Sequence, residues 1–171
     1  MRRPIKTIGI DPGLAATGIG IVSGSGQEVR SHAYGGIRTS KHDTLPERLN
    51  QIYSKLTALL KEESPDQMVV EDVFSLEKYP ASGITLGKVT GVILLAGCRA
   101  GVPVAAISVR EAKQVLTGNG NASKIQLEKA VRHVLNISSP IRPSHASDAL
   151  ALALIGMFRA SGNPWGAEEK S

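Results

Sequence analysis

Cysteine is almost absent from this sequence, and its scarcity limits the chemistry that the protein can use. The 171 residues contain a single cysteine, Cys98. One cysteine excludes a disulfide within the chain and a zinc site built from several thiolates. Because its neighbours are apolar, we expect Cys98 to be a packed thiol in a reducing compartment, and the cytoplasm is the expected location.

Long apolar runs are missing as well. The best candidate, residues 91–97, is far shorter than the stretch needed to span a bilayer, so no membrane association is expected. The N-terminus is basic, but the apolar run behind it ends at Asp11, which argues against a signal peptide. The sequence also lacks internal repeats and a composition shift that would mark a linker. We therefore predict one domain over residues 1–159 and a disordered tail over 160–171.

The charge balance is basic, with 20 lysines and arginines against 15 aspartates and glutamates, a net charge of +5. A basic balance is a modest indication of nucleic-acid binding. It becomes more informative if the carboxylates gather in one place, because the remaining surface is then more basic still.

Hydrophobic periodicity and turn signals predict the element order βββαβαβααα. Three strands with short connections indicate an antiparallel meander, and the alternating elements after it indicate parallel strands. The predicted fold class is α/β, a mixed five-stranded sheet with helices on both faces. Strands are expected at residues 6–11, 18–22, 28–37, 68–70 and 102–107, and helices at 45–63, 83–100, 108–116, 123–135 and 144–159. We expect the helix at 83–100 to be buried, because it is rich in small residues, and Ser144 to cap the last helix.

One carboxylate stands out at the end of the first strand. Ile8-Gly9-Ile10 is a short apolar run that ends on Asp11, and Pro12-Gly13 follows at once. Aspartate is depleted in strands and is rarely buried without a partner, so the position favours a functional role. The alternative, an aspartate that only initiates a turn, explains the turn but not the two flanking strands with so little charge.

Three other residues are predicted to join Asp11. The strand at 68–70 ends on Glu71, and the first strand and this one can lie side by side. His145 and Asp148 are three positions apart in the first turn of the last helix, so their side chains share a face about 5–6 Å apart. The alternative for His145 is a capping or solvated histidine.

Together, Asp11, Glu71, His145 and Asp148 offer three oxygen ligands and one nitrogen ligand. Crowded carboxylates repel one another unless a cation neutralises them. A mostly oxygen donor set points to Mg²⁺ or Mn²⁺. Two such ions about 3.5–4 Å apart can clamp a scissile phosphate, activate water and stabilise the leaving oxygen without a nucleophilic side chain.

The chain resembles the RuvC family of bacterial Holliday junction resolvases, which are ribonuclease H-like nucleases. Five motifs in the same order over residues 8–154 carry the resemblance. They are GIDPG around Asp11, Gly36-Ile37-Arg38-Thr39, Leu45-Pro46-Glu47-Arg48-Leu49, VVEDVF around Glu71 and SDALALA around Asp148.

The resemblance implies a homodimer that binds a four-way DNA junction and nicks two opposing strands symmetrically with Mg²⁺. It places the catalytic acids at Asp11, Glu71 and Asp148, with His145 at a fourth position. Some members have an aspartate there, so this chain departs from the all-carboxylate pattern. The histidine removes one negative charge and favours Mn²⁺ somewhat. Family analogy also suggests a RuvA/RuvB-type branch-migration motor as a partner.

The resemblance also indicates DNA-binding residues. Phe74 falls where the family has an aromatic residue that stacks on unpaired bases, although a core position after a strand explains it equally well. Lys113 and Lys124 match phosphate-contacting lysines at the rim of the active site, where the alternative is a solvated surface lysine. Further basic residues could extend this surface, but the sequence does not orient them: Lys78, Lys88, Arg110, Lys129 and Arg132.

Two other functions remain open from the sequence. Nucleotide-binding domains of the actin and sugar-kinase type also begin with a strand, a turn and a strand, but they need two such domains and a second phosphate loop. The other alternative is a junction-binding relative that kept the fold and lost its metals. The presence of Asp11, Glu71 and Asp148 argues against that alternative.

Overall fold

The computed structural model describes residues 3–72 and 80–162, and these form one five-stranded sheet with helices on both faces. The predicted fold class and element order are confirmed. The strands are β1 (Ile5–Asp11), β2 (Ala16–Ser25), β3 (Glu28–Arg38), β4 (Gln67–Glu71) and β5 (Val104–Ile107), and the helices are α1 (Leu45–Glu63), α2 (Pro80–Arg99), α3 (Val109–Thr117), α4 (Lys124–Leu135) and α5 (Ser144–Ala160).

The strand order β3-β2-β1-β4-β5 brings the two acidic strand ends together. β1, β2 and β3 pair in antiparallel fashion, whereas β4 pairs in parallel with β1 and β5. In the β1–β4 register Ile10 lies beside Val70. The next residues along these parallel strands are Asp11 and Glu71, so both carboxylates lie at the same edge of the sheet.

The core has two layers, one on each face of the sheet. On one face, α1 and α2 pack against isoleucines of β1 and β2. On the other face, α5 lies across β1 and β2 and is itself covered by α3 and α4. The residues of α5 from Ala146 to Met157 are almost fully inaccessible to solvent, so α5 is a core helix. Packing alone does not explain a charged residue such as Asp148 in a core helix.

Two glycines let α5 approach the sheet closely. A Cβ atom on Gly9 would overlap the backbone carbonyl of Ala149, and a Cβ atom on Gly18 would overlap the backbone carbonyl of His145. Gly18 pairs with Asp11 in the β1–β2 register. The first turn of α5 is therefore held directly beside the strand end that carries Asp11.

Helix α2 differs from its prediction as a buried helix. Only one face is buried, through Val89, Ile93 and Ala96, while Ile84, Leu94 and Leu95 are 64%, 45% and 52% exposed. The small residues and the lack of proline over residues 83–100 predicted the helix, but they gave it no strongly polar face that would mark its solvent side.

Residues Ala81–Arg99 of α2 also have the length and the mean hydropathy, 1.5, of a membrane-crossing helix, although only 22% of that stretch is buried. The membrane prediction from the sequence rested on the uninterrupted apolar run at 91–97, so the longer apolar stretch of α2 was not predicted. A single such helix is weak evidence for a membrane span, because core helices of other proteins share its length and composition.

Two smaller predictions are also wrong. Cys98 is exposed near the end of α2 and is not packed. Ser144 is the first residue of α5, and Pro143 precedes it at the capping position with no side-chain cap. Proline supplies the extended backbone that starts the helix there. The disordered tail stays a prediction, because α5 runs to Ala160 and residues 163–171 lie outside the described part of the chain.

Candidate active site

The site is centred on Asp11, which is only 6% exposed at the end of β1. Glu71 ends the neighbouring strand β4 and is partly buried. The two carboxyl groups share a side-chain hydrogen bond. Two carboxyl groups can share a hydrogen bond only when one of them carries a proton, so the pair without a metal ion holds one proton.

Burial is the main cause of the pKa shifts in this pair. Burial raises the pKa of Asp11 to about 6, although the hydrogen bond from Glu71 opposes this increase. Burial also raises the pKa of Glu71 to about 8, and its hydrogen bond to Asp11 and the charges of Asp11 and Asp148 raise it further. Glu71 is therefore the group that keeps the proton at neutral pH, and it donates to Asp11.

Helix α5 brings His145 to the other side of Asp11. His145 Nδ1 lies 3.0 Å from Asp11 Oδ2. The Asp11 side chain is 9% exposed, whereas that of His145 is 43% exposed. If Nδ1 carries the proton and donates to Asp11, the Nε2 lone pair remains available as an acceptor. Asp11 is thus the common partner of a carboxyl group on one side and an imidazole on the other.

Asp148 lies one turn further along α5 and is 7% exposed. Burial raises its pKa, and the charges of Lys124, His145 and Lys113 act in the opposite direction. Lys124 Nζ lies 3.9 Å from Asp148 Oδ2 and is largely exposed. The structure therefore brings both predicted lysines, from α3 and α4, to the rim of the carboxylate cluster.

The donor set fits a divalent cation in its chemistry. Three carboxyl groups with raised pKa values share one buried edge, and oxygen-rich sites of this kind suit hard cations. Within residues 3–72 and 80–162, no three His, Asp or Glu side chains converge as a ready-made metal cage. The reason is visible in the contacts, because Glu71 and His145 both point at Asp11, while Asp148 faces Lys124. Metal binding would replace these protein contacts.

The remaining predicted DNA-binding residues do not all join this site. Phe74 and Lys78 lie outside the described residues, so their predicted roles stay predictions. Lys129 and Arg132 line a separate cleft on α4. Lys88 lies on the exposed face of α2. Gly18 was not predicted as a residue of the site, and its only signal in the sequence is its place in a glycine-rich second strand.

Comparison with known proteins identifies the family. The model of the family "Crossover junction endodeoxyribonuclease RuvC" matches residues 7–156. The chain belongs to the RuvC family. It is therefore an endodeoxyribonuclease of a family of metal-dependent nucleases, and this confirms the resemblance carried by its motifs. The match decides against the nucleotide-binding alternative.

Individual RuvC proteins are similar in sequence to this chain over nearly its whole length. The protein from Rhodopirellula baltica is 40% identical, covering 92% of this chain and 88% of the relative. The protein from Salinispora arenicola is 41% identical, covering 91% of this chain and 89% of the relative.

Solved structures give the same result. Thermus thermophilus RuvC in complex with a Holliday junction substrate superposes with a TM-score of 0.85 at 33% identity, covering 92% of this chain and 95% of the other. The yeast mitochondrial Holliday junction resolvase Ydc2 has a TM-score of 0.58 at 13% identity, over 92% of this chain and 79% of the other, and supports the fold alone.

The contact between Gly18 and α5 leads to a testable prediction. We expect Gly18→Ala to push the first turn of α5 away from the sheet, since the new methyl group would overlap the backbone carbonyl of His145. The expected cost is about 1–3 kcal/mol of stability, with a loss of nuclease activity because His145 moves away from Asp11. Thermal unfolding and DNA nicking measure the two effects.

Gly35→Ala provides the control, because Gly35 lies on the neighbouring strand β3 and a Cβ atom there meets open space. Equal stability and equal activity of the two variants would show that α5 does not depend on Gly18.

Proposed function

We propose that this protein resolves four-way DNA junctions by metal-dependent nicking of two opposing strands, in DNA recombination and repair. The observation that carries the proposal is the assembly of Asp11, Glu71, His145 and Asp148 at one buried edge, from three separate segments of a RuvC-family chain. Charged groups cost free energy to bury, so a cluster of two buried carboxyl groups and a partly buried one is best explained by its chemistry.

The protein groups have distinct tasks in this proposal. Asp11, Glu71, His145 and Asp148 would hold the cation, and we expect two Mg²⁺ ions, with Mn²⁺ as an alternative that the imidazole favours. A bound divalent cation supplies Lewis acidity toward the phosphate and the attacking water. Asp11, which lies between Glu71 and His145, would be the central ligand. Lys113 and Lys124 attract the negatively charged backbone to this edge of the sheet.

The deciding experiment compares a synthetic four-way junction with a linear duplex of the same sequence. We expect paired nicks in the junction with Mg²⁺ or Mn²⁺, none with a chelator and none in the duplex. Asp11→Asn should bind the junction with an affinity close to that of the unchanged protein but leave it uncut, because the neutral amide is a much weaker ligand for Mg²⁺ than the carboxylate. Gel electrophoresis of end-labelled strands and a binding titration measure both results.

Junction binding without nicking in either metal by the unchanged protein would instead support the non-catalytic alternative. Equal nicking of junction and duplex would contradict the proposed selectivity of the nuclease for four-way junctions.

We further propose that the protein acts as a homodimer through the exposed face of α2. Ile84, Gly87, Gly91 and Leu95 repeat at helical spacing on that face, and a Cβ atom on either glycine would meet no heavy atom within 4 Å. Glycines on an apolar helix face allow the backbones of two helices to approach closely. A homodimer also matches a substrate with two-fold symmetry, since it places one site on each of two opposing strands.

Three expectations rest on the family resemblance and on composition alone. These are base stacking by Phe74, a RuvA/RuvB-type branch-migration partner and a cytoplasmic location. Each stays a prediction.

A further inference from the structure

We propose that Lys124, Arg142 and Arg38 form a phosphate track that holds the DNA strand on one side of the nick. Lys124 belongs to the rim of the catalytic cluster described above, whereas Arg142 and Arg38 belong to no site described so far. The two arginines would extend the contact with the DNA backbone that begins at Lys124. The inference rests on the proposed function, because the ligand is the backbone of the strand that the catalytic cluster cuts.

The track begins in a cleft beside the catalytic cluster. This cleft has a volume of about 260 Å³ and lies between the start of α4 and the loop that leads into α5. Lys124 and Arg142 both line it, and Lys124 also contacts Asp148. A phosphate between Lys124 and Arg142 would therefore be close to the phosphate at the metal site.

The lining of the cleft suits a nucleotide better than a free anion. Ile125 lines it with 67% of its surface exposed, and Ile141 adds a buried apolar wall, so a deoxyribose has apolar surface to contact. Glu128 also lines the cleft, but its carboxylate is compensated. Its Oε1 accepts from the Ile141 backbone N–H at 3.0 Å and lies 2.9 Å from Arg132 Nε.

The loop that carries Arg142 lies against the end of strand β3. A Cβ atom on Gly36 would be 3.6 Å from Pro143 Cγ. Arg38 lies two residues beyond Gly36, about 7 Å along the strand and on the same face, because side chains alternate in a strand. The backbone N–H of Thr39 donates to the Ala15 carbonyl at 3.2 Å, which fixes the end of β3 beside the turn that follows Asp11.

The two arginines are available for a ligand. Arg38 and Arg142 are both exposed, and within residues 3–72 and 80–162 neither guanidinium forms a hydrogen bond or an ion pair. Arg48, by contrast, donates from Nε to Thr39 Oγ1, and Arg159 pairs with Glu111. A guanidinium presents a planar set of donors that matches the oxygens of a phosphate, so free arginines at the rim of a nuclease site suit backbone contacts.

The test measures junction affinity as a function of salt for Arg38→Gln, Arg142→Gln and the double variant. An Asp11→Asn background keeps the DNA intact. Each lost phosphate contact should lower the slope of log affinity against log salt by about 0.9, and the double variant by about twice that amount. Arg142→Lys keeps the charge and should keep most of the slope. Arg30→Gln is the matched control, because Arg30 is exposed on the same strand at the opposite end from the cluster.

A methylphosphonate scan locates the contact. In the parent protein, neutralising one phosphate beside the nick should weaken binding several-fold, and that same substitution should have no further effect on Arg142→Gln. Thermal unfolding of each variant confirms that it is folded. If Arg38→Gln and Arg142→Gln match Arg30→Gln in affinity and slope, the phosphate track is wrong although the nuclease assignment stands. If the unchanged protein does not nick the junction, the proposed function itself fails.

Discussion

Glu71→Gln is expected to abolish nicking and, at the same time, to stabilise the protein in the absence of metal at pH 8. The two effects have one cause. Glutamine keeps a hydrogen-bond donor for Asp11 but cannot become a carboxylate. We expect nicking to fall by about 10³-fold or more, because the loss of a metal ligand removes several kcal/mol of transition-state stabilisation.

The stability effect follows from the raised pKa of Glu71, which is about 8 in the folded protein and near 4.5 when unperturbed. Between these two pH values the folded protein binds more protons at this site than the unfolded chain. The free energy of unfolding therefore decreases as pH rises through this window. At pH 8 the glutamine variant avoids a penalty on the order of a few kcal/mol.

Thermal unfolding with a chelator at pH 5 to 8.5 measures this dependence, and nicking with Mg²⁺ and Mn²⁺ measures the catalytic loss. Glu62→Gln is the control, because Glu62 is an exposed carboxylate on α1 and should change neither property. Residual nicking near the level of the unchanged protein would show that Glu71 is not a ligand. An unchanged pH dependence of unfolding would show that Glu71 does not hold the proton.

Much of the site could be predicted because its residues break local rules. Asp11 and Glu71 end apolar strands, where carboxylates are rare, and a parallel pairing of those strands is the one arrangement that brings them together. His145 and Asp148 are polar residues at the start of a helix that is otherwise apolar. Each of these features is local, so the sequence was sufficient to predict that the four residues lie together, whereas their catalytic and metal-binding roles stay predictions.

The features that the sequence did not predict are those that depend on which surface of the folded protein faces solvent. Helix α2 is rich in small residues and carries few charges, so its composition predicted a helix but not which face is exposed. Arg38 and Arg142 are 104 positions apart, and nothing in either neighbourhood links them. Only the packing of Pro143 against Gly36 brings them to one rim. Exposed arginines such as Arg38 and Arg142, which break no local rule, therefore need the tertiary structure before they can be grouped.

Leu95→Asp is expected to convert the proposed homodimer into a monomer and to lower junction affinity by about 10²–10⁴-fold. Leu95 is 52% exposed on the apolar face of α2 and lies one turn beyond Gly91. A carboxylate there would be buried without a partner in a dimer but solvated in a monomer, so the substitution disfavours association and leaves the fold intact. The affinity falls because a monomer loses the second binding event, which is intramolecular in a dimer.

Sedimentation velocity measures the oligomeric state, and a titration with the four-way junction measures affinity. Ala160→Asp is the control, because Ala160 is exposed at the end of α5, on the opposite side of the sheet, and gains the same charge. A dimeric Leu95→Asp protein with unchanged junction affinity would exclude this face as the dimer contact. A monomeric unchanged protein would exclude the dimer altogether.

A supercoiled plasmid with an extruded cruciform separates the loss of affinity from the loss of symmetry. A dimer that nicks two opposing strands in one encounter converts this plasmid directly to the linear form. A monomer nicks one strand, and the released supercoiling lets the cruciform reabsorb before a second nick, so the nicked circle accumulates. We expect mainly linear product from the unchanged protein and mainly nicked circle from Leu95→Asp, even when the variant is added at saturating concentration. In the proposed homodimer each subunit contains its own Asp11, Glu71, His145 and Asp148, so we expect the chemistry to need one chain and paired cutting to need two chains held in register.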